Sequence, residues 1–258
     1  MSKYVLVDFR MRKEEKDYIK SLGYNIKEVS YNIDLYDEIA AHVDISYLKI
    51  GDRIITSPDR FVELSKIVEC NVGKTELSSK YPNDIAYNVC IMGENAIHNF
   101  KYTDTVVKEI LINQEYNLID VNQGYTKCSI AVIDDKSCIT SDIDVAKKLI
   151  DNGIDVLFVY EPDIKLLKRT NPNETMQSRM FFEYSDMQGF IGGAMTRIGD
   201  EVILFGDVNK LLNKDKIISF IKNKGLKFKW FEGLDVIDYG STVICEGADR
   251  WNIKKWNK

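Results

Sequence analysis

Apolar and polar positions recur along the chain in a fixed order. A short apolar run meets a Gly-Asp or Asp-Asp pair, a second apolar run follows, and an aspartate closes the segment. IGDRIITSPD (50–59), IDDKSCITSD (133–142) and IGDEVILFGD (198–207) share this order. The pair predicts a tight hairpin turn, where positive φ is tolerated. The closing aspartate predicts an N-cap, with helices following over 59–67 and 142–150. Upstream, GYTKCSIAVIDD (124–135) aligns without a gap on GFIGGAMTRIGD (189–200) and on AHVDISYLKIGD (41–52). Each predicts a buried strand leading into the turn. Downstream, SLGYNIKEV (21–29), DNGIDVLFV (151–159) and NKGLKFKWF (223–231) set a glycine after the last helical turn and then a further strand.

Each unit thus reads strand, turn, strand, helix, strand, a ββαβ repeat. A fourth copy runs through AYNVCIMGENAIHNF (86–100), a helix near 104–112, and YNLIDV (116–121). The fifth is split. Residues 4–29 supply its second strand, helix and third strand, and VIDYGSTVICEG (236–247) supplies the missing first strand from the other terminus. The expected architecture is an α/β propeller of five blades, a single domain over 1–258, whose fifth blade joins the N- and C-terminal segments. The competing architecture is an open mixed α/β sheet in which similar βα units recur by chance. Two polar segments, 71–84 and 161–186, lie outside the pattern; the second has the length of an active-site lid or binding loop, or of an insertion without a role.

Composition narrows the function. A net charge of −5 argues against a nucleic-acid or anionic-membrane surface spread over the whole molecule. The tail at 249–258 mixes lysines with Trp251 and Trp256 and reads as a solvated terminus. No apolar run approaches the roughly 20 residues of a membrane span or the core of a signal peptide. The five cysteines lack zinc-finger or CxxC spacing, so reduced thiols in the cytoplasm are expected. Two histidines in the whole chain do not supply a closed zinc site, and no phosphate-binding glycine loop opens a helix. The sequence calls for no cofactor and no resident metal, and is silent on oligomeric state.

Five ββαβ units with a split blade resemble the pentein fold of the guanidine-modifying superfamily, which includes arginine deiminases, agmatine deiminases, dimethylarginine hydrolases and amidinotransferases. AHVDISY (41–47) looks like the family's HxD motif, which implies His42 and Asp44 as catalytic residues. GYTKC (124–128) resembles the glycine-led strand carrying the family's nucleophile, which implies Cys128. IDYGST (237–242) is similar to the Glu-Gly-Gly strand, with Asp238 in the acidic position. FEYSD (182–186) resembles the aromatic-x-Arg-Asp strand, offering Asp186 without the arginine. The family's cyclic order of blades is kept by Cys128, Asp186, Asp238 and His42, with the unit at 86–121 as the blade without catalytic residues. The linear start differs, as in a circular permutation.

The resemblance implies a cysteine-dependent hydrolase or deiminase acting on a small guanidino or amidine compound. A thiolate attacks the guanidinium carbon, carboxylates hold its N–H groups, and histidine serves the leaving amine and the water. His42 and Cys128 are expected to face one channel together with Asp44, and Asp238 to approach from the shared blade. Each residue has a plainer reading. Cys128 can be a buried structural thiol, His42 a hydrogen-bonded residue at a strand start, Asp44 a strand cap, and Asp238 and Asp186 turn or loop residues. Cys245 is the rival nucleophile, and His98 reads as a surface or capping residue. The superfamily also includes the eukaryotic ribosome anti-association factor, which catalyses nothing, so a non-catalytic binding protein is the alternative function.

Overall fold

In the computed structural model, which describes residues 2–171, 173 and 180–247, the recurring pattern becomes a recurring sheet. The chain opens with β1 (Lys3–Asp8), α1 (Lys13–Ser21) and β2 (Asn25–Val29). Behind the one-turn helix α2 (Val43–Ser46) come β3 (Tyr47–Ile50), β4 (Arg53–Thr56), α3 (Pro58–Leu64) and β5 (Cys70–Val72). The next set is β6 (Cys90–Met92), β7 (Asn95–His98), α4 (Thr105–Asn113) and β8 (Asn117–Asp120). Another one-turn helix, α5 (Thr126–Ser129), leads into β9 (Ile130–Asp134), β10 (Ser137–Thr140), α6 (Ile143–Asp151) and β11 (Asp155–Phe158). A separate antiparallel hairpin, β12 (Lys165–Arg169) and β13 (Phe182–Gln188), occupies much of the segment read as an insertion. The last set is β14 (Met195–Ile198), β15 (Glu201–Leu204), α7 (Lys214–Asn223) and β16 (Lys227–Lys229), followed by β17 (Val243–Glu246).

Among the described residues these strands make five open three-stranded sheets. In each, the middle strand pairs antiparallel with the first and parallel with the third. The first sheet takes its first strand from the far end of the chain. β17 lies antiparallel to β1, with Tyr4 opposite Cys245 and Val5 opposite Ile244. The terminal exchange expected from the sequence is therefore present.

The local causes are readable. Middle strands such as SCIT of β10 are buried along their whole length because neighbours cover both edges and both faces. The helix α6 buries Val145, Ala146 and Leu149 on one face. Its cap is the predicted Asp142, whose side chain accepts from the N–H groups of Asp144 and Val145. Asp104 caps α4 in the same way. Gly153 ends α6 at φ 77°, a conformation open to glycine. By contrast, α3 starts at Pro58 behind Ser57 and stops at Leu64, because proline's fixed φ suits the first helical position.

Among the described residues the core is divided into five apolar clusters, each built mainly from two sheets that are consecutive in the chain. Leu6, Tyr47, Ile54 and Val243 join the first sheet to the second. Leu48, Ile55, Val89 and Ala96 join the second to the third. Met92, Ile97, Ile130 and Cys138 join the third to the fourth, and Ile133, Ile139, Met195 and Leu204 the fourth to the fifth. Val5, Val7, Ile198 and Ile203 then join the fifth back to the first. No helix among the described residues is long and apolar enough to cross a membrane.

Candidate active site

The segments that lead into the first strands were expected to be strand throughout, and here the structure differs. Residues 43–46 and 126–129 are single helical turns, 191–194 form a turn, and 238–242 are irregular. Their backbone groups bond across sheets rather than along a ladder. The Asp44 N–H donates to the Gly240 carbonyl, the Gly193 N–H to that of Cys128, and the Lys127 N–H to Asn88 Oδ1. Breaking the strand early in this way turns polar side chains toward one shared point.

Four of the five predicted residues meet there. The Cys128 thiol donates to Asp44 Oδ2 at 3.1 Å. Ligating atoms of His42, Asp44 and Cys128 all lie within 4.8 Å of one another. His42 Nδ1 is 3.8 Å from Asp238 Oδ1, and both side chains are buried. Asp238 is itself anchored, accepting from the Phe190 N–H through Oδ2 and from the Gly240 N–H through Oδ1, each at 2.8 Å. The structure does not bring Asp186 to this group. It is exposed on β13, as its neighbours Met187 and Gln188 are, and lies 3.7 Å from Lys168 Nζ.

Two glycines make the meeting possible. A Cβ at Gly193 would collide with Asp238 Oδ1, and one at Gly240, where φ is 68°, would strike His42 and come within 2.8 Å of Asp44 Oδ1. Asn88 also belongs to the group. Its Nδ2 donates to Cys128 Sγ at 3.2 Å and to the Asp44 carbonyl at 3.0 Å. Sequence reasoning passed over it, although Asn88, Cys128 and Gly193 each stand two positions before the first strand of their own sheet. Aligning the fourth unit at that position would have found it.

Burial sets the electrostatics. It pushes the Asp44 carboxyl up to about 6, against the opposing pull of Lys127. It also raises the Asp238 carboxyl, against the His42 ring. Burial drives the His42 imidazole down, so the ring is neutral. The Cys128 thiol is pushed well above its ordinary range by burial and then by the neighbouring carboxylates. At rest the site therefore holds a protonated thiol beside a neutral imidazole. Three of these donors, His42, Asp44 and deprotonated Cys128, are of types that ligate a divalent ion.

His42 differs sharply from the other histidine. Neither of its ring nitrogens has a hydrogen-bond partner among the described residues, and Asp44 Oδ1 is also unpartnered. His98, read from sequence as a surface or capping residue, is fully buried in the third sheet. Its Nδ1 meets Thr103 Oγ1 at 2.6 Å and its Nε2 the Gly124 carbonyl at 3.0 Å. The rival thiol, Cys245, sits on β17 in the apolar cluster with Leu6 and Leu64, and burial raises it to about 11. Trp251, Trp256 and the tail around them lie outside the described residues.

A cavity of about 630 Å³ adjoins the site. Its wall takes a residue from the first strand of each three-stranded sheet: Leu48, Ile91, Val132, Arg197 and Ile244. Asp44 reaches this wall, whereas His42 and Cys128 do not line it. The expectation that both would face the channel gives way to a layered arrangement, with Asp44 common to the cavity and the thiol.

Solved structures with the same architecture are found among the penteins. The DDAH of Pseudomonas aeruginosa, as a cysteine-to-serine mutant complexed with citrulline, is 10% identical; the match covers 92% of this chain and 93% of that one at a TM-score of 0.51. Agmatine deiminase of C. jejuni with substrate bound is 11% identical, covering 96% and 95% at a TM-score of 0.50. A dimethylarginine dimethylaminohydrolase adduct with 4-chloro-2-hydroxymethylpyridine gives 0.52 at 10% identity, with 92% and 93% covered. The chain thus has a mixed α/β fold of the pentein kind, as the sequence resemblance implied. It belongs to a family of unknown function (DUF6873), whose model it matches over residues 6–171 and 183–243. A search of curated proteins gave no match.

Proposed function

We propose that this chain is a cysteine-dependent hydrolase or deiminase of a small guanidino or amidine compound, built as one domain in which the five sheets close into a ring of blades. The five clusters joining successive sheets, the fifth returning to the first, support the ring. The observation that carries the activity is the unsatisfied, fully buried His42 beside a buried thiol and carboxylate. Leaving buried polar atoms without partners costs about 1–3 kcal/mol each, a cost that His98 avoids through its two hydrogen bonds.

In the proposed reaction a guanidinium cation donates N–H groups to Asp44 and Asp238 and brings the positive charge that makes a thiolate tolerable. The Cys128 proton passes to His42 and the sulfur bonds to the guanidinium carbon. His42 returns the proton to the departing nitrogen as its bond to carbon breaks, leaving a thiouronium adduct. Water, deprotonated by the same imidazole, then attacks that carbon and the carbon–sulfur bond breaks.

Mass spectrometry after iodoacetamide treatment tests this reading. Cys128, buried and protonated at rest, should be alkylated as alkaline pH ionises it, and a guanidine-bearing amine such as agmatine should protect it. Incubation with substrate followed by acid quench should leave an adduct on Cys128 that is absent from His42→Ala. Absence of both protection and adduct across a panel of guanidines and amidines would sink it.

One observation favours a binding protein instead. Both Asp238 oxygens are taken by backbone N–H groups and Asp186 is remote, which thins the grip on a cation. On that reading a ligand or macromolecular partner would bind Cys128→Ala and His42→Ala variants as tightly as the parent chain.

A further inference from the structure

We propose that Asn88, from the sheet that the family resemblance leaves without catalytic residues, is a catalytic residue whose side-chain amide holds the Cys128 sulfur as it becomes a thiolate. The inference rests on the hydrolase reading above and adds a group to its machinery.

The orientation of the amide is fixed by its partners. Asn88 Oδ1 accepts the Lys127 N–H at 2.9 Å and the Cys128 N–H at 3.4 Å. That leaves Nδ2, which has only donors to offer, facing Cys128 Sγ at 3.2 Å and the Asp44 carbonyl at 3.0 Å. A flipped amide would set donors against the two N–H groups and a carbonyl against the Asp44 oxygen. The Asn88 backbone is held too, since its carbonyl accepts from Thr126 Oγ1 at 2.6 Å. The residue is fully buried, so no solvent competes for these bonds.

This geometry suits one protonation state of the sulfur better than the other. In the resting site the thiol hydrogen points at Asp44 Oδ2. When that proton passes to His42, the bond to Asp44 disappears and the sulfur faces a carboxylate. Asn88 Nδ2–H is then the side-chain donor already aimed at the anion, and its bond becomes charge-assisted. Because Nδ2 also binds the Asp44 backbone, the amide sets the spacing between nucleophile and acid. Removing it leaves the sulfur to ionise beside Asp44 with less support.

The test is the pH dependence of Cys128 alkylation, which requires no substrate. Asn88→Asp keeps an acceptor for the two N–H groups and turns a carboxylate oxygen toward the sulfur; Asn88→Ala deletes the donor. Both should move the alkylation profile to higher pH and lower the rate at a fixed pH about tenfold or more, the effect of one pKa unit. Ile119→Ala, in the apolar cluster that joins the third and fourth sheets, is the control for loosened packing, lowering the melting temperature and leaving the profile in place. In the parent chain, the Asn88 side-chain amide resonance should move in step with thiol ionisation, which keeps the idea testable if both variants fail to fold. Profiles of the Asn88 variants that coincide with the parent's, or an amide resonance that ignores the thiol, would overturn it. If guanidines fail to protect Cys128 while Asn88→Asp still shifts the profile, the substrate reading fails and the role of Asn88 at the thiol stands.

Discussion

Burial acts on His42, Asp44 and Cys128 in one direction, disfavouring whichever form is charged, and the fold holds these groups together regardless. Asp44 makes the cost measurable. Its carboxyl is raised from 3.8 to about 6, so the folded chain binds this proton more readily than the unfolded chain does. The penalty for ionising it is absent below about pH 4, grows as pH rises through 6, and is fully present above. Asp44→Asn removes the penalty while retaining an acceptor for the thiol. The variant should be more stable than the parent by about 2–3 kcal/mol at neutral pH, with the difference vanishing near pH 4 and activity lost. Urea denaturation of both proteins across that range checks the sign; equal stabilities at neutral pH would mean that Asp44 is not strained. At this scale the sequence was informative where chemistry leaves a motif. His42, Asp44 and Cys128 were singled out by the likeness of AHVDISY and GYTKC to motifs of the guanidine-modifying superfamily. Asn88 was not, since an amide two positions before an apolar strand looks like any turn residue. Asp186 was drawn in by a short likeness that its exposed place on β13 undoes.

The elements over the thiol are the part that apolar patterning described least. Residues Tyr31, Leu35, Ile39 and Ala40, within a polar connection after β2, pack into the same apolar cluster as Cys128, with Phe9 and Phe182 against them. Arg10 ties this connection to the insertion hairpin, donating to the carbonyls of Asp37 and Glu38 and to that of Leu167 at 2.8 Å. The Asp37 carboxylate receives the Tyr31 hydroxyl and pairs with Arg169 of β12 at 2.8 Å. The ties to the hairpin join residues more than a hundred positions apart, so no local periodicity announces them. Asp37→Ala should loosen the connection without touching the sheets. We expect faster iodoacetamide modification of Cys128 and faster amide hydrogen exchange in 31–40 and in β12, with little change in melting temperature. Unchanged Cys128 modification alongside faster exchange would mean that this connection does not control access to the thiol.

At the level of the whole molecule, turn chemistry and caps were legible because each is a local rule that the chain applies again and again. The Asp142 cap was legible this way, as was the first strand supplied by the C-terminal segment. The one-turn helices before β3 and β9 were not, since their apolar residues suit a buried turn as well as a strand end. The proposed ring has a consequence that an open row of sheets does not. In a ring, β17 covers the edge of β1 and also fills a joint between blades, through Val243 and Cys245 packed on Leu6, Tyr47 and Ile54. Truncating the chain after Thr242 removes those side chains, worth about 1.5–3 kcal/mol for a buried valine alone, and uncovers β1. The total is a large share of the roughly 5–15 kcal/mol that holds a domain folded. The cavity would lose Val243 and Ile244 from its wall as well. A closed ring should therefore fail as a unit, with loss of the cooperative thermal transition and association through the bared strand. A peptide of residues 236–247 added in trans should restore the transition in part. Far-ultraviolet circular dichroism and size-exclusion chromatography distinguish the outcomes. A truncated chain that melts cooperatively within a few degrees of the parent would show that the first sheet is a terminal appendage, and the ring would have to be abandoned.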